Sequence, residues 1–243
     1  MRFFFRNFSG VLLLYLFTTQ AQAQLPPSEI PMYGSTAAKP RKLSARDLEY
    51  IAALEKAGGT RQDAAKEVLA RAWDAYGKKD YRTAIKQFNQ AWLLDPENGN
   101  PYHGFALIST VRDKNADEAE KFFKMAIAKP GVSANAYVSY GRFLYLVDRH
   151  DEALAQLNKA ISVSPKVRNA RLHMALIYRK KGNTIQACDW ARKAKENGDD
   201  EEPGLIEAMC RKGGNIASTE PPTTLAENRP ATASIRTRPR KKA

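Results

Sequence analysis

Small residues recur along this chain at a fixed spacing, twelve and then seven positions apart. Ala72, Ala84 and Ala91 form one set, Gly141, Ala153 and Ala160 another, and Ala175, Ala187 and Ala194 a third. Ala106, Ala119 and Ala126 repeat the pattern with one residue added to the first interval. From Ala119 to Ala153 to Ala187 the period is 34, and from Ala84 to Ala119 it is 35. Such a repeat reads as two amphipathic helices joined by a short turn, because helices approach closely only where the facing side chains are small. Bulky residues then fill the space around each contact: Phe88, Phe123 and Leu157 each follow the middle alanine by four. Tyr102 and Tyr137 open the first helices of repeats two and three, and Tyr81 begins the second helix of repeat one. Pro96 and Pro165 close second helices, where the ring blocks continuation.

Four stretches carry the repeat: AKEVLARAWDAYGKKDYRTAIKQFNQAWLLDP, NPYHGFALISTVRDKNADEAEKFFKMAIAKP, ANAYVSYGRFLYLVDRHDEALAQLNKAISVSP and RNARLHMALIYRKKGNTIQACDWARKAKENG. Together they span about residues 65–199, and this pattern resembles the tetratricopeptide-repeat family. The resemblance implies an all-α fold, a right-handed superhelical array of about four helix-turn-helix repeats with flanking helices. The ends depart from the family pattern, as terminal capping repeats do. Repeat four has Ala191 where an aromatic is usual and lacks a closing proline, and repeat one has Arg71 in place of an apolar residue.

Residues 24–43, with Pro26, Pro27, Pro31, Pro40 and the basic run Lys39-Pro40-Arg41-Lys42, read as an extended linker. Residues 44–213 read as the repeat domain. Ser44-Ala45-Arg46-Asp47 and Thr60-Arg61-Gln62-Asp63 have capping-box spacing, so helices are expected to start near 45 and 61, with Gly58-Gly59 as the break. Glu202-Pro203 is expected to open a last helix running to about Arg211, whose Leu205, Ile206 and Met209 cover the apolar face of repeat four. Residues 214–243 hold four prolines, five threonines and six basic against two acidic side chains, the composition of a disordered basic tail.

Residues 1–23 read as a secretory signal peptide. Arg2 and Arg6 precede the apolar run Val11-Leu12-Leu13-Leu14-Tyr15-Leu16-Phe17, and Ala21-Gln22-Ala23 is a small-x-small cleavage site ahead of Gln24. The run falls short of the roughly 20 apolar residues that span a bilayer. The expected compartment is therefore a bacterial periplasm, where disulfides persist. Cys188 stands near the start of the second helix of repeat four, and Cys210 on the last helix. Two readings stand for this pair: a disulfide closing the weak end of the array, or two buried thiols packing as small apolar residues. The absence of C-x-x-C spacing argues against a redox-active pair.

Little in the chain speaks for catalysis. It has two cysteines and three histidines, none in H-E-x-x-H spacing, and no glycine-rich phosphate loop, so no catalytic, metal or cofactor site is expected. Asp148-Arg149-His150-Asp151 falls at the turn between the helices of repeat three, where charged residues cap helices.

In the family it resembles, the first helix of each pair lines an inner groove that holds peptides or partner helices. The repeat phase puts Trp73 and Tyr76 there from repeat one, His103 and Leu107 from repeat two, Arg142 and Tyr145 from repeat three, and Arg179 and Lys180 from repeat four. Asn100, Asn135 and Asn169 occupy matching places at the starts of successive first helices. Amides there either bond an extended peptide backbone or cap their own helices. Trp73 and Tyr76 either face the groove or pack against the helix at 44–57. The expected function is a non-enzymatic adaptor for a protein or peptide partner in envelope assembly, of the pilus, secretion or outer-membrane kind. The alternative is a basic protein that attaches to an anionic membrane or wall polymer. Its net charge of +13 and its end, Arg236-Thr237-Arg238-Pro239-Arg240-Lys241-Lys242, suit that role. Export makes nucleic acid an unexpected partner, and no residue pattern speaks to the oligomeric state.

Overall fold

The computed structural model describes residues 25–34, 45–56, 58–199 and 204–211. The expected signal peptide, the second half of the expected linker and the basic tail lie outside the described residues. Among the described residues ten α-helices follow in order: α1 (Ala45–Lys56), α2 (Arg61–Gly77), α3 (Tyr81–Leu94), α4 (Gly99–Val111), α5 (Ala116–Ile127), α6 (Ala134–Leu146), α7 (His150–Val163), α8 (Ala170–Lys180), α9 (Thr184–Glu196) and α10 (Leu205–Cys210). They pack as antiparallel neighbours α2/α3, α4/α5, α6/α7 and α8/α9. The first helices of successive pairs also touch: α2 meets α4, α4 meets α6, and α6 meets α8.

The twelve small residues explain the pairing. Eleven are alanines with at most 1% of their surface exposed, and Gly141 is buried with them. At Gly141 a methyl group would stand 2.8 Å from Leu157 Cγ and 3.2 Å from the Ala153 carbonyl, so α6 and α7 touch almost backbone to backbone. Phe88, Phe123 and Leu157 fill the flanks of these contacts, each at most 1% exposed. Trp92 on α3 donates its indole N–H to the Tyr102 hydroxyl at 2.9 Å, and that hydroxyl donates to the Pro96 carbonyl at 3.1 Å. The tyrosine that opens a first helix thus fastens it to the preceding repeat, with its polar atom satisfied inside the core.

The turn within each pair has one geometry written with three residue types. Lys79, Lys114, Asp148 and Gly182 stand at matching repeat positions and have φ of 61°, 51°, 60° and 75°. Each turn is left-handed there, and only repeat four uses glycine, which adopts that region without penalty. The next residue caps the second helix. Asp80, Asn115 and Asn183 accept from the backbone N–H of Thr83, Glu118 and Gln186. Arg149 takes that place in repeat three and makes no side-chain cap.

Ahead of the array, Thr60 caps α2 by accepting from Asp63 N–H. At the far end Met209 of α10 is fully buried against Ala175, Ala187 and Ala191, with Leu176, Trp190, Leu205 and Ile206 around it. The small residue at 191 leaves room for this side chain, whose burial contributes about 1.5–3 kcal/mol. Cys188 and Cys210 form a disulfide joining α9 to α10, with Cα atoms 4.6 Å apart.

One expectation fails. Part of the stretch expected to be an extended linker, residues 27–34, forms two short 3-10 turns, Pro27–Glu29 and Pro31–Gly34, packed against α3. Glu29, Pro31 and Met32 are buried there. The prolines that suggested a free linker instead stiffen a docked segment, because a fixed φ lowers the entropy lost on docking.

Candidate functional site

The candidate site is the inner face made by α2, α4, α6 and α8. Repeat phase aligns four rows across it. One row holds Asn100, Asn135 and Asn169, a second Trp73, Leu107, Arg142 and Leu176, a third Tyr76, Thr110, Tyr145 and Arg179, and a fourth Gly77, Val111, Leu146 and Lys180. The fourth row lies nearest solvent: Val111 is 37% exposed and Leu146 47% exposed, an apolar pair on neighbouring helices. Tyr145 and Arg142 are half-buried beside them. Lys180 reaches across from α8 to pair with the Asp148 carboxylate, and its ammonium lies 5.7 Å from the centre of the Tyr145 ring. That ring also lies 5.9 Å from His150.

Deeper rows hold the helices together. Trp73 packs against Tyr76, Phe88 and His103, with ring centres 5.9, 4.8 and 4.9 Å away. It belongs to the junction of α2, α3 and α4. Tyr76 is 7% exposed, beside Tyr81. His103 is 4% exposed, and its Nε2 lies 2.9 Å from the Ser139 hydroxyl, a bond between α4 and α6. Burial pulls its pKa down to about 3, so the ring is neutral. His173 on α8 is equally buried and is also held at about 3, by burial and then by the nearby Arg142 charge.

The asparagine row divides. Asn100 donates to Asn98 Oδ1 at 2.9 Å, while its own Oδ1 accepts from Ser133 N–H at 3.2 Å, so it clasps the start of α4 to the start of α6. The cap of α4 is Asn98, which accepts from Asn100 N–H. Asn169 is at the N-cap of α8 with φ 64° and is 5% exposed. Asn135 is half-buried on α6. Asn100 therefore ties two repeats together, Asn169 is buried at the start of α8, and Asn135 keeps part of its surface exposed. Leu107 is half-buried against the core, and Arg179 donates to the Thr184 hydroxyl at 3.3 Å.

No family model matches the chain. The chain is 32% identical over 102 residues to the protein STIP1 homolog of Dictyostelium discoideum, covering 42% of this chain and 18% of that one. It thus spans under a fifth of that relative's length. Among solved structures it is similar to pilF of Pseudomonas aeruginosa, with a TM-score of 0.55 and 17% identity over 62% of this chain and 67% of that one. YrrB, a TPR protein with an unusual peptide-binding site, superposes with a TM-score of 0.47 and 17% identity over 59% of this chain and 72% of that one. The 34-residue period, the four helix pairs and the small residues buried at each crossing are the architecture of a tetratricopeptide-repeat array. The chain has the tetratricopeptide-repeat fold.

Within this TPR array the charged run of repeat three has a structural job. Arg149 donates Nε and Nη2 to the two oxygens of Glu152 at 2.7 and 2.6 Å, and Nη1 to Glu120 on α5 at 2.7 Å. Those contacts, with Lys124, hold the Glu120 carboxyl at about 2. Asp148 pairs with Lys180 and Asp151 with Lys181, tying the turn of repeat three to that of repeat four. Among the described residues no cluster of three His, Cys, Asp or Glu side chains could hold a metal ion. Also among them, no helix is long and apolar enough to cross a membrane. Val111 and Leu146 were missed in the sequence reading. Their signal was present, as apolar residues five positions past the small residue of the first helix in repeats two and three.

Proposed function

We propose that the chain is a non-enzymatic periplasmic adaptor whose inner face holds a segment of a protein partner in cell-envelope assembly. The observation carrying this reading is the exposed pair Val111 and Leu146 on adjacent inner helices, flanked by Tyr145, Arg142 and Lys180. An apolar strip bordered by cations suits a segment with an apolar side chain next to a carboxylate. Asn135 stands seven residues, about two helical turns, before Arg142 on the same stripe, within reach of that segment's backbone. The periplasmic part of the reading rests on the expected signal peptide and is supported by a disulfide in the fold.

The test compares four proteins in pull-downs from envelope extract: the mature chain, its Leu146→Asp and Arg142→Ala variants, and a chain ending at Gly213. Loss of a charge-assisted hydrogen bond costs about 1.5–3 kcal/mol, roughly ten- to a hundredfold in affinity. Arg142→Ala and Leu146→Asp should release the partner, and the chain ending at Gly213 should keep it. The opposite pattern would replace this reading with attachment to an anionic surface through the tail.

A further inference from the structure

Residues 28–32 lie on α3 as a peptide lies in a receptor. Asn89 is fully buried beneath them and donates Nδ2 to the carbonyls of Ser28 at 3.1 Å and Ile30 at 2.8 Å. Arg112, at the end of α4, donates Nη2 to the intervening Glu29 carbonyl at 3.0 Å. Three successive carbonyl groups of the segment are thus read by side chains of the array, a mode of binding that depends on backbone rather than sequence. Three further contacts are specific. The Glu29 carboxylate, 6% exposed, lies 2.8 Å from Arg82 and 3.3 Å from Lys86. Met32 is 2% exposed and joins the main core, and Pro31 is buried beside it.

The site is peculiar to repeat one. Positions matching Asn89 in the later repeats are Lys124, Asn158 and Arg192, all exposed. Positions matching Leu93, one turn further along and 6% exposed, are Ala128, Ser162 and Glu196, again all exposed. The cationic pair Arg82 and Lys86 is replaced by Asp117 and Lys121, Asp151 and Ala155, and Ile185 and Asp189. Only on α3 does the outer surface combine a carbonyl-reading amide, two cations for one carboxylate and an apolar seat. The docked segment itself bends against its local preference, since Met32 and Tyr33 have φ of 51° and 53°. The contacts with the array hold that shape.

We propose that the outer face of α3, bounded by Arg82, Lys86, Asn89 and Arg112, is a second peptide-binding site, separate from the inner face. Residues 28–32 occupy it in cis, and an acidic, proline-flanked segment of the same Glu-Ile-Pro-Met chemistry on a partner takes their place. Ten residues, 35–44, join the docked segment to α1. A tether that short keeps the cis ligand at an effective concentration on the order of millimolar. A partner therefore gains the site only at high local concentration or when the cis segment is disabled, and its arrival frees the N-terminal segment.

The test uses the mature chain and a fluorescent peptide of residues 25–34, read by anisotropy. Two separate variants disable the cis ligand: Glu29→Lys sets a cation against Arg82 and Lys86, and Met32→Asp removes the apolar anchor. Each should bind the peptide saturably, with an apparent Kd roughly tenfold or more below that of the unaltered chain, because the tethered competitor is gone. Adding Asn89→Ala to either variant should abolish that binding, whereas adding Arg142→Ala should leave it unchanged and so separate this site from the inner face. Far-UV circular dichroism checks that the variants keep the array. The proposal is overturned if both folded variants fail to bind the peptide saturably, or if Asn89→Ala has no effect.

Discussion

Gly104 on α4 faces the Phe88 ring, and the substitution Gly104→Ala tests how tightly the first two repeats are packed. The added methyl carbon would stand 2.4 Å from Cε1 of that ring and 2.5 Å from Cδ1 and Cζ. Ordinary contact begins at 3.4 Å, so ring or helix must retreat by about 1 Å. Phe88 has nowhere to go, being fully buried with the Trp73 ring edge-on at 4.8 Å and Phe105 at 6.4 Å. Overpacking of this kind costs about 1–3 kcal/mol. Alanine returns about 0.8–1.0 kcal/mol through its better helix propensity. The net effect is a loss of up to about 2 kcal/mol. Gly77→Ala, at the last residue of α2, supplies the opposite sign: nothing lies within 4 Å and its φ is not left-handed. It should gain about 0.4–1 kcal/mol by restricting the unfolded chain. Urea unfolding of both variants beside the parent reads the difference as shifts of the midpoint at unchanged slope. A Gly104→Ala midpoint at or above that of the parent would refute the reasoning, because the ring would then have room that the structure denies it.

Two further outcomes follow from groups the array buries. His103 and His173 have pKa values near 3 when folded, against 6.5 in the unfolded chain. Below pH 6.5 the unfolded state binds more protons, so their stabilisation is full above 6.5 and is lost as pH falls toward 3. Each contributes a slope of up to about 1.4 kcal/mol per pH unit. Glu120 adds its own loss only below about pH 4.5, where its unfolded carboxyl titrates. Between pH 6.5 and 5 the urea midpoint should therefore drop steeply, and His103→Leu should halve the slope; a flat profile would contradict the burial of both rings. The disulfide closes a span of 22 residues, worth about 3 kcal/mol on the chain-entropy model. Reduction or Cys210→Ser should lower the midpoint accordingly and speed hydrogen exchange in α10. Peptide mapping without reductant should recover Cys188 joined to Cys210, and free thiols there would remove the basis for that stabilisation.

The sequence alone was enough to establish the period, the helix pairs and the three buried small positions of each repeat, because every repeat solves the same packing problem and writes the solution again. Ala84, Ala119, Ala153 and Ala187 announce a close helix crossing by recurrence alone, and a recurrent constraint needs no knowledge of distant neighbours. The left-handed turn position was far less visible, since Lys79, Lys114 and Asp148 reach by tertiary constraint a conformation that only Gly182 adopts freely. The inner face was legible as a set of rows and illegible in depth. Repeat phase locates His103 and Asn100 on first helices, but whether a side chain meets solvent depends on what the adjacent helix places against it. Ser139 bonds to one, and the Ser133 backbone bonds to the other. The docking of residues 27–34 was invisible for the same reason. Asn89, Arg82 and Lys86 belong to a helix whose counterparts leave those positions in solvent. Only the folding of a non-repeated segment back onto α3, some 60 positions away, turned an ordinary polar surface into a buried site.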